Sequence, residues 1–179
     1  MKIDRRLLFL SLLLMAGALV RLLPHPWGFT PIGAMALLGG AKSGDRPLLA
    51  FGLPLGALLL SDLLMGAAFH DAMPVVYASF AICVVIGLAV GRRRSSPAAV
   101  ATGAAGSATL FFLTTNFWVW TATGTYPPTG WGLAACYAAG LPFYATHLAG
   151  DLLYATALFG VYAALERREP ALEGGIGRR

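Results

Sequence analysis

The sequence predicts an all-α integral membrane protein with six transmembrane helices. The chain is 58% hydrophobic and 12% charged, whereas a soluble domain usually carries about 25% charged residues, and its mean hydropathy is +0.71. The length suits one membrane domain, residues 1–168, followed by a cytoplasmic tail, residues 169–179. The six apolar stretches that predict the spans are Leu7–Leu23, Phe29–Gly40, Pro47–Met65, Pro74–Val90, Pro97–Trp120 and Pro142–Leu165.

The basic residues give this six-span interpretation its orientation. All but one of the 13 Lys and Arg residues fall on the same side of the predicted membrane, in the two termini and the second and fourth loops. Short loops rich in Lys and Arg stay in the cytoplasm, so both termini are expected there, in a bacterial inner membrane. Arg21, at the outer end of the first span, is the exception. This orientation also accounts for the basic pI without a nucleic-acid partner.

Proline stands at or near the starts of five predicted helices. Proline lacks a backbone N–H, and the first helical turn tolerates this because its N–H groups have no intrahelical acceptor. These prolines are Pro31, Pro47, Pro74, Pro97 and Pro142. Thr30 and Ser96 precede two of them as expected N-caps, and Asp45 is placed to act similarly for the third helix. Pro54 lies inside the third stretch and is expected to kink it.

Two segments depart from a plain six-span pattern. Phe29–Gly40 has 12 residues, fewer than the roughly 20 that cross the hydrocarbon core. Its many small residues predict a segment that is buried against its neighbours and is broken or re-entrant; the alternative is a helix that extends into the loops. The uncharged connection Thr121–Leu141 predicts a turn followed by a short helix over the outer face.

Three polar residues inside apolar stretches are candidates for function. Asp62 lies near the outer end of the third span and Asp151 in the sixth, and an ionisable group in a membrane span usually faces a cavity or a partner. His147 precedes Asp151 by four residues, so both occupy one helix face. They form either a polar cluster that contacts a ligand or closes a gate, or an interhelical hydrogen-bond network.

Aromatic residues concentrate on the outer side. Tyr77 and Phe80 lie early in the fourth span, and all four tryptophans are outer: Trp27, Trp118, Trp120 and Trp131. An interfacial aromatic belt explains part of this distribution, but a belt populates both interfaces. A pocket that is open to the outside and lined by flat rings fits better, and it suits a large, mostly apolar ligand.

Cys83 continues the stripe of Tyr77 and Phe80 at a spacing of three, near mid-membrane depth. It is either an inert small hydrophobic residue or a soft thiolate ligand for a metal that the substrate carries. Cys136 lies on the outer side, so we expect two free thiols. The chain has no His/Cys pair at zinc spacing and no nucleotide-binding loop or serine-hydrolase motif, so a bare metal ion and ATP hydrolysis are not expected.

Four runs resemble the substrate-binding S components of energy-coupling-factor vitamin transporters, and most closely the solitary BtuM type for vitamin B12. They are Phe29–Ala36, Ser61–Leu64, Met73–Phe80 and Gly150–Tyr154. The resemblance implies a six-helix S-component fold, a periplasmic ligand pocket, and a cysteine that ligates the cobalt of cobalamin and assists loss of cyanide, with Cys83 as the candidate. The expected ligand-binding residues are Tyr77, Phe80, Asn116, Trp118, Trp120, Asp62, His147 and Asp151.

The first helix bears on the partner of such a protein. S components that share an energising module often carry Ala-x-x-x-Ala there, and Met15–Val20 lacks that spacing. We therefore expect a solitary uptake protein, with the lipid bilayer and a small-molecule vitamin as its partners.

Two other interpretations stay open. In one, the same fold binds another vitamin or precursor and Cys83 is structural. In the other, the chain is an integral membrane enzyme that uses Asp62, His147 and Asp151 for acid–base chemistry. A corrin absorption spectrum of the purified protein distinguishes cobalamin binding from both.

Overall fold

The computed structural model describes residues 5–44, 46–66 and 70–168, which form an all-helical bundle of six helices. The helices are α1 (Arg5–Val20), α2 (Ile32–Lys42), α3 (Pro47–Leu64), α4 (Met73–Arg92), α5 (Pro97–Ala122) and α6 (Gly130–Arg168). Helices α3 to α6 are each long and apolar enough to cross a membrane, so the chain is a membrane-embedded protein. The six-span topology stays a prediction, because α1 and α2 are shorter. The predicted tail, residues 169–179, and Asp45 lie outside the described residues.

Most of the predicted helix starts agree with the structure. Pro47 and Pro97 are the first residues of α3 and α5, and α4 begins one residue before its proline. Ser96 caps α5 as predicted, because its Oγ accepts a hydrogen bond from the N–H of Ala99 at 3.3 Å. The prediction for Thr30 is wrong: α2 begins later, with Pro31 at the N-cap and no side-chain cap.

The outer connection differs from its prediction. Pro142 does not begin a helix; it lies inside α6, a continuous helix of 39 residues. At 1.5 Å per residue this helix is about 58 Å long, well beyond the roughly 30 Å of the hydrocarbon core. The predicted short outer helix is therefore the first part of α6, and the true connection between α5 and α6 is shorter than Thr121–Leu141.

The short helix α2 is the centre of the bundle. It packs against each of the other five helices, and every residue from Ile32 to Gly40 is buried. The expectation that this segment is buried among its neighbours is therefore confirmed. Pro54 lies inside α3, where its ring packs against Gly39 of α2.

Glycine allows α2 and α4 to approach backbone to backbone. A Cβ on Gly40 would overlap the carbonyl oxygen of Val84, and one on Gly87 would overlap that of Leu37. Small residues at helix interfaces permit this close packing in membranes, where apolar side chains gain little by leaving lipid. The contact fixes α4, and with it Cys83, against the central helix.

Large apolar side chains also cover the outside of the bundle. On α1, Leu8, Leu12, Met15 and Leu19 are each more than 40% exposed, and their spacing places them on one face. An apolar face of this kind is expected where a helix contacts lipid. The surface of α1 thus supports a place in the bilayer for this helix as well.

Candidate functional site

Cys83 is sealed inside the bundle. Its side chain has no exposed surface and shares a buried cluster with Phe80, against which Tyr77 is packed. The predicted stripe of three residues on α4 is thus present. The Cys83 Sγ lies 3.9 Å from the carbonyl oxygen of Ser107 on α5. Both cysteines are free, as predicted, and both are buried.

A stack of three rings extends from this stripe across the bundle. The Phe80 ring on α4 stacks on Phe111 of α5 with their centroids 4.9 Å apart. Phe111 in turn lies almost parallel to the His147 ring of α6, at 4.8 Å and an interplanar angle of 9°. Offset stacking of this kind adds about 0.5–1.5 kcal/mol beyond the buried area. Three helices are thereby joined through one column of flat rings.

His147 and Asp151 share a face of α6, as their spacing predicts. The His147 Nε2 lies 3.4 Å from the Asp151 Oδ2. Asp151 is completely buried, and among the described residues neither of its carboxylate oxygens has a hydrogen-bond partner. The carboxylate lies against Gly33 in the first turn of α2, where any larger residue would overlap it. The positive end of the α2 dipole therefore faces this carboxylate.

Asp62 belongs to a different group, at the end of the bundle where α3 ends and α4 begins. Its carboxylate forms an ion pair with Arg21 at 2.5 Å and accepts a hydrogen bond from the Tyr77 hydroxyl at 2.7 Å. Arg21 also donates to the Ser61 Oγ at 2.7 Å. We call this group the Arg21 cluster. It ties the segment after α1 to α3 and α4, and it places Asp62 apart from His147 and Asp151.

The remaining predicted residues lie around the junction of α5 and α6. The Trp120 Nε1 donates to the carbonyl oxygen of Pro127 at 3.0 Å, which holds the connection between these helices. The Asn116 side chain donates to the carbonyl oxygen of Phe112 at 2.8 Å and packs against Gly140. Cys136 approaches the Asn116 carbonyl oxygen at 3.4 Å. Trp118 is partly exposed on α5.

Sequence reasoning missed three residues that the structure brings to this region. Phe111 joins the ring stack, and Arg21 pairs with Asp62. Ser107 contacts Cys83 through its carbonyl oxygen, and its own buried Oγ has no partner among the described residues. Only Arg21 gave a signal, because it is the single Lys or Arg that the predicted topology places on the outer side. The other two are apolar or small residues whose contacts cross between helices.

Phe80, which the sequence analysis assigned to an aromatic pocket open to the outside, is buried by packing. A groove of about 230 Å³ lies elsewhere, between α1 and α3, and residues such as Leu14, Gly52 and Leu60 line it. None of the predicted ligand-binding residues borders this groove. Across residues 5–44, 46–66 and 70–168, no three His, Cys, Asp or Glu side chains converge to hold a bare metal ion.

Comparison with known proteins identifies a family for this chain. A family model described as a family of unknown function (DUF6580) matches residues 1–172. No curated protein and no solved structure matches the chain.

Proposed function

The chain belongs to the DUF6580 family, and we propose that it is a membrane uptake protein that binds cobalamin from the periplasmic side, with Cys83 as a cobalt ligand. The observation that carries the proposal is the position of Cys83. It lies deep in the bundle, on the same stripe as Phe80 and Tyr77, beside a column of flat rings. A soft thiolate suits a transition metal such as cobalt, and stacked rings suit a flat macrocycle.

Unsatisfied polar groups near Cys83 also favour a ligand in this region. The Oγ of Ser107 is buried and has no partner within the described part of the chain, and the Ser107 carbonyl oxygen contacts Cys83. Leaving a buried donor or acceptor unpaired costs about 1–3 kcal/mol. The amide groups that fringe a corrin are donors and acceptors that would satisfy such a hydroxyl. The deep end of the stripe therefore offers both a soft metal ligand and a polar anchor.

Access to Cys83 requires the bundle to open. Because Cys83 has no exposed surface, the Phe80 and Phe111 rings must part before cobalt reaches the thiol. Tyr77 lies on the same helix and is bound to Asp62, so movement of α4 also loosens the Arg21 cluster. In the proposal, the conformation described is the closed one, and the Arg21 cluster closes its periplasmic side.

The chemistry at cobalt is a ligand substitution. The Cys83 thiol loses its proton, which the departing cyanide takes up near neutral pH to form hydrogen cyanide, and the thiolate electron pair forms a Co–S bond. In cyanocobalamin the cyanide leaves with the electron pair of the Co–C bond, and the oxidation state of cobalt does not change. The protein assists one such loss of cyanide for each cobalamin that it binds. In this proposal it acts without a shared energising module.

One observation favours a second candidate, an uptake protein for another vitamin or precursor in which Cys83 is structural. The thiol is fully buried and already close to the carbonyl oxygen of Ser107. A free cysteine in such a place commonly behaves as a small hydrophobic residue.

The two cysteines provide a matched pair of variants that separates these candidates. Cys83→Ser keeps the approximate size of the side chain and removes the soft donor, while Cys136→Ser makes the same change at a second buried thiol. With cyanocobalamin, we expect wild type and Cys136→Ser to shift the corrin absorption spectrum and release cyanide. Cys83→Ser should do neither. If all three proteins give one bound spectrum and release cyanide equally, Cys83 is a packing residue.

A further inference from the structure

The pair formed by His147 and Asp151 lacks the partners that a buried carboxylate needs. Asp151 is wholly buried and His147 is 7% exposed. The Nε2 of His147 and both carboxylate oxygens of Asp151 have no hydrogen-bond partner among the described residues. Their closest approach to each other is 3.4 Å. An ionised carboxylate in a dry, apolar site is very unfavourable unless a positive charge or hydrogen bonds compensate it.

Among the described residues, no basic side chain of a neighbouring element forms a hydrogen bond with the carboxylate of Asp151. Helix α5 has no ionisable residue along Pro97–Ala122, and α2 has only Lys42, which is bound to Glu166 at the far end of the bundle. Helix α3 contributes Asp62, which is paired with Arg21. Besides the residues already named, the ionisable groups of the other helices and of the loop before α2 are Arg5 and Arg6 at the start of α1, His25 in the loop, Tyr77, Cys83 and Arg92 on α4, and Cys136, Tyr137, Tyr144, Tyr154, Tyr162, Arg167 and Arg168 on α6.

The loop side of the pair is closed by backbone and an aromatic ring. Gly28 lies beside His147, and Phe29 packs against Gly150 and the ring of Tyr154. His25 is turned to backbone carbonyl oxygens of Arg21 and Pro26. Apart from the partial positive charge at the start of α2, the described residues leave the pair itself as the source of the positive charge that neutralises Asp151.

We propose that His147 and Asp151 form a proton-binding site that holds one proton in the closed conformation and releases it when cobalamin binds. The ligand of this site is the proton itself, held as imidazolium with carboxylate or as imidazole with carboxylic acid. In either form the pair carries no net charge. The site gives the uptake protein a sensitivity to pH, and its link to cobalamin rests on the proposed function.

The ring stack provides the physical link between the two sites. Phe111 lies flat on His147 and also against Phe80, three residues before Cys83 on α4. In the proposal, Phe111 turns away from His147 when Phe80 moves to expose Cys83, because the three rings form one column. Water then reaches the pair and hydrogen-bonds to the carboxylate oxygens, which have no partner among the described residues in the closed conformation. Proton release and cobalamin binding are consequently linked in both directions.

The proton site is tested first without any vitamin. Infrared difference spectra of the purified, lipid-reconstituted protein are recorded between about pH 5 and pH 9. We expect wild type to show a carboxyl or imidazole signal that is lost in both Asp151→Asn and His147→Gln and kept in Glu166→Gln, a control on the same helix. Wild-type spectra that superimpose on those of Asp151→Asn would overturn the proton site.

The link is tested by counting protons on addition of cyanocobalamin in weakly buffered solution. Formation of the Co–S bond passes the Cys83 proton to the departing cyanide, so this step changes the proton count equally in every variant that retains Cys83. Wild type should therefore release about one proton more per chain than Asp151→Asn. With each pH unit, the affinity of wild type for cyanocobalamin should rise by up to about tenfold more than the affinity of Asp151→Asn does. Equal release, or an affinity that falls as pH rises, would contradict the link. If wild type binds no cyanocobalamin at any pH, the proposed function is contradicted. The infrared spectra recorded without the vitamin still test whether His147 and Asp151 bind a proton.

Discussion

Replacing Asp62 by Asn is expected to destabilise the protein by about 3 kcal/mol. The side chains of Arg21 and Asp62 are only 15% and 7% exposed, and their charged atoms are 2.5 Å apart. Asn keeps the shape of Asp62 but leaves the Arg21 guanidinium without a counter-charge in a largely dry position. Removing one partner of a buried pair typically costs about 3–5 kcal/mol, and the residual exposure of Arg21 places this case near the lower limit.

Thermal unfolding of the purified protein in one detergent measures this effect. For a chain of this size, about 1 kcal/mol corresponds to about 2–4 °C, so Asp62→Asn should lower the midpoint by about 6–12 °C. Glu166→Gln is the matched control, because it makes the same kind of change in the more exposed pair with Lys42, at 3.0 Å. That variant should lose about 1 kcal/mol or less.

A double variant checks that charge is the cause. Arg21→Met combined with Asp62→Leu removes both charges and leaves an apolar contact, which is often neutral or stabilising in place of a buried pair. We expect the double variant to recover most of the decrease in the thermal unfolding midpoint that Asp62→Asn causes. The reasoning is refuted if Asp62→Asn unfolds within about 2 °C of wild type, or if it loses no more than Glu166→Gln does.

Three further predictions follow from the bundle and its surface. Gly40→Ala should destabilise the protein by about 1–3 kcal/mol or more, because the added Cβ would overlap a carbonyl oxygen of the facing helix α4. Gly56→Ala is the control and should not destabilise the protein, because a Cβ there meets nothing within 4 Å. Equal unfolding midpoints for the two variants would contradict the close backbone contact of α2 with α4. Trp118→Ala and Trp120→Ala should each weaken cyanocobalamin binding several-fold in a titration. Unchanged affinity would contradict a role in binding and favour the alternative, that both side chains belong to an interfacial aromatic belt. Reporter fusions should place both termini in the cytoplasm, and a periplasmic C-terminus would contradict the topology.

Local sequence signals predicted most of the helices because these signals act within one or two turns. Proline and Ser96 mark the start of α5, and the N-cap hydrogen bond to Ala99 is made by neighbours in the chain. The same rule failed at Pro142, which lies inside α6. A proline interior to a helix loses one backbone hydrogen bond, but membrane proteins tolerate this where neighbouring groups satisfy the freed carbonyl.

The candidate site divides in the same way. The shared face of His147 and Asp151 follows from a spacing of four residues, and the stripe that ends at Cys83 follows from a spacing of three. The stack of Phe111 on His147 and the contact of Gly33 with Asp151 join different helices. Such contacts depend on how helices are arranged in space, and a single sequence has no local pattern that encodes them.

Equilibrium binding of cyanocobalamin to the purified wild-type protein tests the central claim most directly. The protein is reconstituted in lipid, incubated with the vitamin and separated by size exclusion while corrin absorption is recorded. The account predicts that corrin absorption elutes with the protein at about one cobalamin per chain, with a spectrum shifted from that of the free vitamin. A protein that elutes without corrin absorption, at every vitamin concentration up to about millimolar, would contradict it.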